Sequence, residues 1–297
     1  IIHEVGHNFF PMIINSDERQ WTWMDEGLNT FVQYLAEQEW DVDYPSRRGP
    51  AYKITDYMKG DKNFISPIMV NSESIHQFGN NAYGKPATAM NILRETIMGR
   101  ELFDHAFKMY AQRWMFKHPT PEDFFRTMED ASAIDLDWFW RGWFYTTDVV
   151  DIGVKNVKRF YFSDTPDLEA QERLESYGMD LDNLPKMVFK IDEDSESFNP
   201  NPAANTAIEG SQILKEYLQK ENLDPKATTP KYFYEVEFEK PGGLVMPLIV
   251  EYSYADGSKE MVTYPVQLWR KNDASVKKII ASDKELVGVT VDPNLET

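Results

Sequence analysis

The feature that most constrains this 297-residue chain is the pentapeptide His3-Glu4-Val5-Gly6-His7 near its start. On an α-helix, two histidines four residues apart lie on one face, with Cβ atoms about 5–6 Å apart. Two imidazoles at this spacing can bind a single zinc ion through nitrogen–zinc bonds of about 2.0–2.1 Å. The pattern therefore predicts a helix that presents His3 and His7 as metal ligands.

A third candidate ligand follows in the next predicted helix. Catalytic zinc usually has three protein ligands and keeps the fourth position for water. Eighteen residues separate His7 from Glu26, which is enough chain for a helix–loop–helix to bring the Glu26 carboxylate to the ion. Glu4 is adjacent to the first ligand and can accept a proton from a zinc-activated water without being a ligand itself. We predict one catalytic Zn²⁺ bound by His3, His7 and Glu26, with Glu4 as general base.

Each part of this pattern also occurs in proteins without zinc. An H-E-x-x-H pentapeptide arises by chance in roughly one chain of this length in a few hundred, at average residue frequencies. Paired histidines can be ordinary helix surface, and Glu26 alone would most often be a solvated acid at a helix start. The combination of the pentapeptide, the distant acid and the surrounding Trp23-Met24-Asp25-Glu26-Gly27 favours the zinc site.

Together, these motifs resemble those of the aminopeptidase N-like gluzincins, a family of zinc metallopeptidases. Its members carry H-E-x-x-H, eighteen residues and then a glutamate, commonly within Trp-x-Asn-Glu-Gly; this chain has Asp25 in place of the asparagine. They also carry a downstream catalytic tyrosine, which Tyr83 in Tyr83-Gly84-Lys85-Pro86-Ala87 matches in kind and in distance. The resemblance covers about residues 1–147. It implies a zinc-dependent peptidase, most often an aminopeptidase, in which Tyr83 stabilises the oxyanion.

The chain also departs from the family pattern. Pro11 and Met12 replace the usual Gly-Asn, so the end of the zinc helix is expected to differ. The family's Gly-x-Met-Glu-Asn stretch, whose glutamate grips the free amine of the substrate, is absent from this sequence. Because the sequence opens at Ile1 inside a motif, we interpret it as a piece of a longer polypeptide that lacks an upstream domain.

Three functions therefore stay open at this point. An aminopeptidase is favoured, and a thermolysin-like endopeptidase shares its chemistry but accepts blocked amino termini. The third is a catalytically silent peptide-binding or structural unit that retains a zinc site. The silent unit is supported by the position of His3 in a first helical turn, which frays without preceding residues.

The residue pattern predicts an α+β protein, with a helical thermolysin-like catalytic subdomain followed by a β-rich C-terminal region. We place the first at 1–148 and the second at 149–297, with an acidic linker around 163–230. The predicted helices are Trp21–Trp40, Ala51–Met58, Tyr83–Met98, Glu101–Trp114, one that begins at Thr120, and Asp135–Tyr145. The predicted strands are Val150–Phe162, Tyr232–Phe238, Leu244–Tyr254, Met261–Trp269 and Leu286–Val291, with a turn at Ala255–Gly257.

Composition excludes several classes of function. The net charge of −18 repels phosphate backbones, so we expect no nucleic-acid partner. The expectation of peptide substrates comes from the family resemblance. The absence of cysteine removes disulfides, thiolate catalysis and cysteine-bound zinc. No apolar run approaches the ~20 residues of a transmembrane helix, and no secretory leader is seen. The compartment is not fixed, although enzymes of this appearance with a β-rich tail are often exported.

Other residues invite weaker interpretations. Asp25 and Thr30 are candidates for orienting a zinc ligand, with Thr30 preferred because it lies one turn beyond Glu26. The acidic residues Asp192, Glu193, Asp194 and Glu196 lack the pattern of a calcium loop, so a solvated loop is expected. The remaining histidines, His76, His105 and His118, are expected at the surface. The dense aromatic residues Trp138 to Phe144 are expected in the core.

Overall fold

The computed structural model describes residues 1–163, 172, 175–178, 187–189, 216–222 and 232–297. The acidic residues 192–196, expected in a solvated loop, and most of the predicted acidic linker lie outside these residues. Within them the protein is α+β, as predicted, with helices up to residue 145 and strands from residue 153 onward. None of the described helices is long and apolar enough to cross a membrane.

The helices largely follow the predicted spans. They are α1 (Ile2–Gly6), α2 (Leu28–Trp40), α3 (Thr55–Met58), α4 (Lys85–Ile92), α5 (Arg100–Trp114), α6 (Pro121–Ser132) and α7 (Asp137–Tyr145). Wider π-helical turns extend them at Asn8–Ile13, Trp23–Gly27, Gly79–Gly84 and Leu93–Ile97. The first helix ends early, because Pro11 cannot continue an α-helix and Phe10 has extended backbone angles. This agrees with the expected change after the zinc motif.

An aromatic core positions the segment that carries Glu26. Trp23 is fully buried, and its ring centre lies 4.8 Å from that of Phe144 and 5.9 Å from that of Phe125. Phe125 in turn stacks on Trp140 with ring centres 4.6 Å apart. Such ring pairs add about 0.5–1.5 kcal/mol each beyond the burial of their area. Four aromatic residues of α7 are therefore core, as predicted: Phe139, Trp140, Trp143 and Phe144. Their packing holds the turn Trp23–Gly27 in place.

Helix α1 approaches α2 very closely at Gly6. A Cβ atom added at Gly6 would lie 1.9 Å from the side-chain oxygen of Asn29. Asn29 is fully buried and its Nδ2 donates a 2.8 Å hydrogen bond to the carbonyl oxygen of His3, so it cannot turn away without losing that bond. The glycine of the pentapeptide is thus required by the packing of two helices.

Replacing Gly6 with alanine is expected to loosen α1. Overpacking of this kind typically costs about 1–3 kcal/mol. We expect faster amide exchange at Val5 and His7, whose N–H groups donate to the carbonyls of Ile1 and His3. Gly153→Ala is the matched control, because a Cβ there meets nothing within 4 Å. Unchanged exchange in Gly6→Ala would show that the two helices are not packed this closely.

The strands form two antiparallel sheets within the described residues. The strands are β1 (Gly153–Ser163), β2 (Met187–Phe189), β3 (Tyr232–Glu239), β4 (Leu248–Tyr254), β5 (Lys259–Tyr264), β6 (Ser275–Ser282) and β7 (Leu286–Val291). One sheet has the order β2-β1-β3-β6 and the other β5-β4-β7. The predicted turn is present, with Gly257 at a φ of 81° and its N–H donating to the carbonyl of Tyr254.

Two strand predictions were wrong in part, and one strand was missed. The strand predicted over Leu244–Tyr254 begins only at Leu248. The predicted strand Met261–Trp269 ends at Tyr264, because Pro265 follows and the chain then enters a 3₁₀ turn, Val266–Arg270. Strand β6 was not predicted. Its middle holds Lys277, which masks the apolar alternation of a strand and pairs with Glu235 on β3 at 2.9 Å.

Two lysines join the helices to the segment that leads into the sheets. Lys85 is fully buried at the start of α4, and its Nζ donates a 3.1 Å hydrogen bond to the carbonyl of Thr146. Burial lowers the pKa of Lys85 to about 8. The Nζ of Lys62 donates to the next carbonyl, that of Thr147. The segment after α7 is thereby held against the helix that follows Tyr83.

Candidate active site

Three predicted ligands meet in one place. The Nε2 atom of His3 lies 3.0 Å from Oε2 of Glu26, and the Nε2 atom of His7 lies 3.6 Å from the same oxygen. One donor atom from each of the three side chains falls within 4.8 Å of the others. Two ligand atoms bound tetrahedrally to one zinc ion are separated by about 3.3 Å. The spacing therefore fits a shared ion.

His3 is held from behind by α2. Its Nδ1 atom lies 3.0 Å from Oε1 of Gln33, so Nδ1–H donates to the amide oxygen. Gln33 in turn donates a 2.7 Å hydrogen bond from Nε2 to Oε1 of the buried Glu37, which fixes the orientation of the amide. With the proton on Nδ1, the lone pair of His3 Nε2 points to the candidate metal position.

His7 is oriented in the same way as His3, by acceptors that face its Nδ1 atom. Its Nδ1 donates a 2.9 Å hydrogen bond to the carbonyl oxygen of Phe10 and lies 2.9 Å from Oδ1 of Asp25. Burial acts to lower the pKa of His7, but the Phe10 carbonyl and the nearby carboxylates outweigh it and raise that pKa. Burial also raises the pKa of the Asp25 carboxyl to about 8, with Glu18 and Glu26 adding to the effect.

The sequence-based preference for Thr30 over Asp25 was wrong. The Thr30 hydroxyl is buried and contacts no hydrogen-bond partner in the described part of the chain. Asp25 instead lies beside His7, because the π-helical turn Trp23–Gly27 places it next to Glu26 on the inner side of the helix. The sequence did not lead us to predict that Gln33 and the Phe10 carbonyl orient the two histidines.

One sequence signal could have revealed Gln33. Glu26, Gln33 and Glu37 fall seven and four residues apart, so they lie along one face of the helix. A line of polar residues on a helix that is otherwise packed against the core requires partners in the interior. The network ends at Ser46, whose hydroxyl donates a 2.6 Å hydrogen bond to Oε2 of Glu37.

Replacing Gln33 with leucine is expected to weaken zinc binding. Leucine leaves Nδ1 of His3 without its acceptor, and loss of such an orienting partner typically costs about 10–100-fold in metal affinity. The measurement is the zinc dissociation constant from competition with a chromophoric chelator. Gln112→Leu is the control, because it makes the same change at an exposed position on α5. Equal affinities for the two variants would contradict the assigned role of Gln33.

Glu4 and Tyr83 flank the three ligands. Glu4 is exposed on α1 and is close enough to His7 to contribute to its raised pKa. Tyr83 stacks on His3 with ring centres 5.6 Å apart. Burial raises the pKa of the Tyr83 phenol far above its usual range, and the Glu26 carboxylate raises it further. Tyr83 therefore keeps its proton at neutral pH and is a hydrogen-bond donor.

Within the described residues, no other group of three or more histidine, aspartate or glutamate side chains gathers closely enough to hold a metal ion. His76, His105 and His118 are exposed, as predicted. The predicted zinc ligands thus lie together at one site, at the junction of α1, the turn Trp23–Gly27 and the turn that precedes α4.

The chain is similar to known aminopeptidases. A family model, the peptidase family M1 domain, matches residues 1–143. Glutamyl aminopeptidase of Homo sapiens is 27% identical over 172 residues, which are 54% of this chain and 18% of that protein. The Bos taurus glutamyl aminopeptidase is 24% identical over 253 residues, 80% of this chain and 25% of that protein.

A solved structure also aligns with most of the chain. The crystal structure of Legionella pneumophila aminopeptidase A in complex with aspartic acid aligns with a TM-score of 0.48 and 13% identity. The alignment covers 97% of this chain and 25% of that one. The chain thus spans a quarter or less of the length of these three proteins.

The matched region holds every element of the candidate site. The H-E-x-x-H pentapeptide, Glu26 and Tyr83 all lie between residues 1 and 143, in the order and spacing predicted from the motifs. The helical part of this chain, residues 1–143, is thus similar to the peptidase family M1 domain.

Proposed function

We propose that this chain carries the catalytic centre of a zinc-dependent aminopeptidase. The observation that carries the proposal is the shared orientation of the two imidazoles. Protein acceptors take the Nδ1–H of both His3 and His7, so both Nε2 lone pairs face Glu26. Two neutral imidazoles and one carboxylate are the donor set of catalytic zinc in peptidases. When bound, zinc would polarise the substrate carbonyl and lower the pKa of water at the site.

Glu4 is the proposed general base. It lies on the same helix as both histidines, and its exposed carboxylate has no ion-pair partner in the described part of the chain. A free carboxylate at this position can accept a proton from the attacking water and return it to the leaving amine. Exposure of Glu4 leaves room for the substrate to lie beside it.

Tyr83 is the proposed oxyanion donor. Its phenol is protonated at neutral pH, and its ring contacts both the imidazole of His3, with ring centres 5.6 Å apart, and the guanidinium of Arg48, whose Cζ lies 4.9 Å from the ring centre. A donor fixed in this way stabilises the charge that develops on the carbonyl oxygen without reorganisation during the reaction.

The preference for a free amino terminus is proposed from the family and the named relatives. The amine-binding stretch typical of the family does not occur in residues 1–297, so we expect it in an upstream part of the same polypeptide. The surface supports this. Exposed apolar residues continue along α1 and the following turn: Ile2, Val5, Phe9 and Met12. We infer that further polypeptide covers this face.

Chelator-sensitive hydrolysis tests the proposal. The complete polypeptide is incubated with an unstructured peptide and with the same peptide acetylated at its amino terminus, with and without a zinc chelator. An aminopeptidase cleaves only the free peptide, and zinc restores activity after chelation. Cleavage of both peptides would indicate an endopeptidase instead. Zinc binding without cleavage of either would indicate the silent unit and overturn the proposal.

Replacing Tyr83 with phenylalanine is expected to lower kcat by about 10²–10³-fold, the usual cost of losing one oxyanion donor. Zinc content should not change, because Tyr83 is not among the ligands. Steady-state kinetics on a free peptide measure the effect. Tyr145→Phe, at an exposed tyrosine on α7, is the control and should match the unmodified protein. A normal kcat in Tyr83→Phe would remove this residue from the mechanism.

A further inference from the structure

A pocket of about 160 Å³ opens beside Tyr83. Three cationic side chains line it, and apart from Ile54 the rest of the wall is polar or small; the lining residues are Arg47, Arg48, Lys53, Ile54, Asn80, Gly84 and Thr88. Arg48 links the pocket to the candidate active site, because its guanidinium lies over the Tyr83 ring. Arg48 and the imidazole of His3 therefore contact the same aromatic ring.

These cations lack carboxylate partners. Within the described residues, none of Arg47, Arg48 and Lys53 forms an ion pair, although the whole sequence has 49 acidic and 31 basic residues. Arg48 is half-buried, and burial together with the neighbouring Arg47 lowers its pKa. The nearest acid that acts on it electrostatically is Glu26, a candidate zinc ligand. An arginine that is desolvated beside a second arginine is stabilised by an anion that enters the pocket.

The loop that carries Arg48 is fixed on both sides. Ser46 is buried and donates to Glu37, the acid that also holds Gln33 behind His3. Gly49 has a φ of 125°, and a Cβ there would lie 2.6 Å from the Tyr34 ring, so this position needs glycine. The guanidinium is thereby presented by the same network that orients a zinc ligand, and it is positioned before any ligand binds.

We propose that this pocket binds a carboxylate of the peptide substrate, through Arg48 with Arg47. The inference rests on the proposed peptidase function and adds a substrate class to it. Arginine binds carboxylates through two parallel N–H···O bonds, and a partly dehydrated site strengthens them. The carboxylate can be an acidic side chain next to the scissile bond or the C-terminal carboxylate of a short peptide. Both sources present the same carboxylate group to the arginines.

Three matched substrate pairs identify the source. The first pair differs in the amino-terminal side chain, Glu-Ala-amide against Gln-Ala-amide. The second differs in the next side chain, Ala-Glu-amide against Ala-Gln-amide. The third differs at the carboxyl terminus, Ala-Ala against Ala-Ala-amide. We expect kcat/KM to favour the carboxylate member of at least one pair by roughly 10–100-fold, as for hydrogen bonds to a charged group.

The variants assign the preference to the pocket. Arg48→Gln should remove it, and Arg47→Gln should reduce it. Arg126→Gln removes an exposed charge on α6 and should retain the full preference. If the unmodified protein hydrolysed both members of every pair with the same kcat/KM, the inference would be overturned. An equal loss on every substrate in both variants would overturn it too, since Arg48 and Arg47 would then act only through Tyr83 or the fold.

A binding measurement separates this inference from the proposed function. Calorimetric titration of the same peptide pairs into the zinc-loaded Glu4→Gln polypeptide requires no turnover. Selective, Arg48-dependent binding of a carboxylate peptide supports the pocket even if the unmodified protein hydrolyses nothing. Chelator-sensitive hydrolysis without selective binding supports the peptidase and rejects the pocket.

Discussion

Replacing Glu4 with glutamine is expected to abolish peptide hydrolysis while leaving bound zinc unchanged. Glutamine preserves the size of the side chain but cannot accept a proton, and a positioned acid–base group contributes about 10²–10⁴-fold to the rate. Because Glu4 is exposed, its replacement should not disturb the packing of α1. The measurements are kcat on a free peptide and zinc content by mass spectrometry of the same sample.

The control for this variant is Glu39→Gln, which removes one exposed carboxylate from α2 at a distance from the site. It should retain full activity, which excludes a general effect of charge. Zinc-loaded Glu4→Gln protein that hydrolyses peptides at the normal rate would remove Glu4 from the mechanism. Loss of zinc together with activity would instead assign it a role in holding the metal.

The second large effect is expected from Glu26→Gln. The carboxylate oxygen of Glu26 is the atom that both Nε2 atoms approach, at 3.0 Å and 3.6 Å. Loss of an orienting neighbour costs about 10–100-fold in metal affinity, so loss of the charge of a direct ligand should cost more than about 100-fold. Zinc content after dialysis should fall from one ion per chain to almost none, and activity should fall with it.

Asp25→Asn provides a close control for Glu26→Gln. It changes the neighbouring acid of the same turn to its amide, and the amide oxygen can still accept from Nδ1 of His7, which the Phe10 carbonyl already holds. We expect this variant to retain zinc. If both variants kept their zinc, Glu26 would not be a ligand. If both lost it, zinc binding would depend on the conformation of the whole turn and not on Glu26 alone.

The zinc motif was predictable because it is local. Two histidines four residues apart need only one turn of helix to share a face, so His3 and His7 follow from the sequence without knowledge of the fold. Glu26 required a motif, since only the pattern around Trp23–Gly27 indicates that a helix start eighteen residues later returns to the same place. Gly6 was quoted as part of that motif, and the structure supplies the reason in its contact with Asn29.

The groups that orient the ligands were harder to predict. The Phe10 carbonyl reaches His7 only because the chain leaves the helix at Pro11, a backbone event that no side-chain pattern records. Gln33 was identifiable in principle from the polar face of α2. Arg48 was not, because its position depends on a loop fixed by contacts distant in sequence, Ser46 with Glu37 and Gly49 with Tyr34.

Anomalous diffraction at the zinc absorption edge tests the central claim most directly. Crystals of the protein grown with equimolar zinc should show one strong anomalous peak, about 2.0–2.2 Å from Nε2 of His3, Nε2 of His7 and a carboxylate oxygen of Glu26. The site geometry predicts that this peak disappears in crystals of Glu26→Gln grown in the same way. A zinc peak elsewhere on the chain, with these three side chains bearing none, would contradict the account.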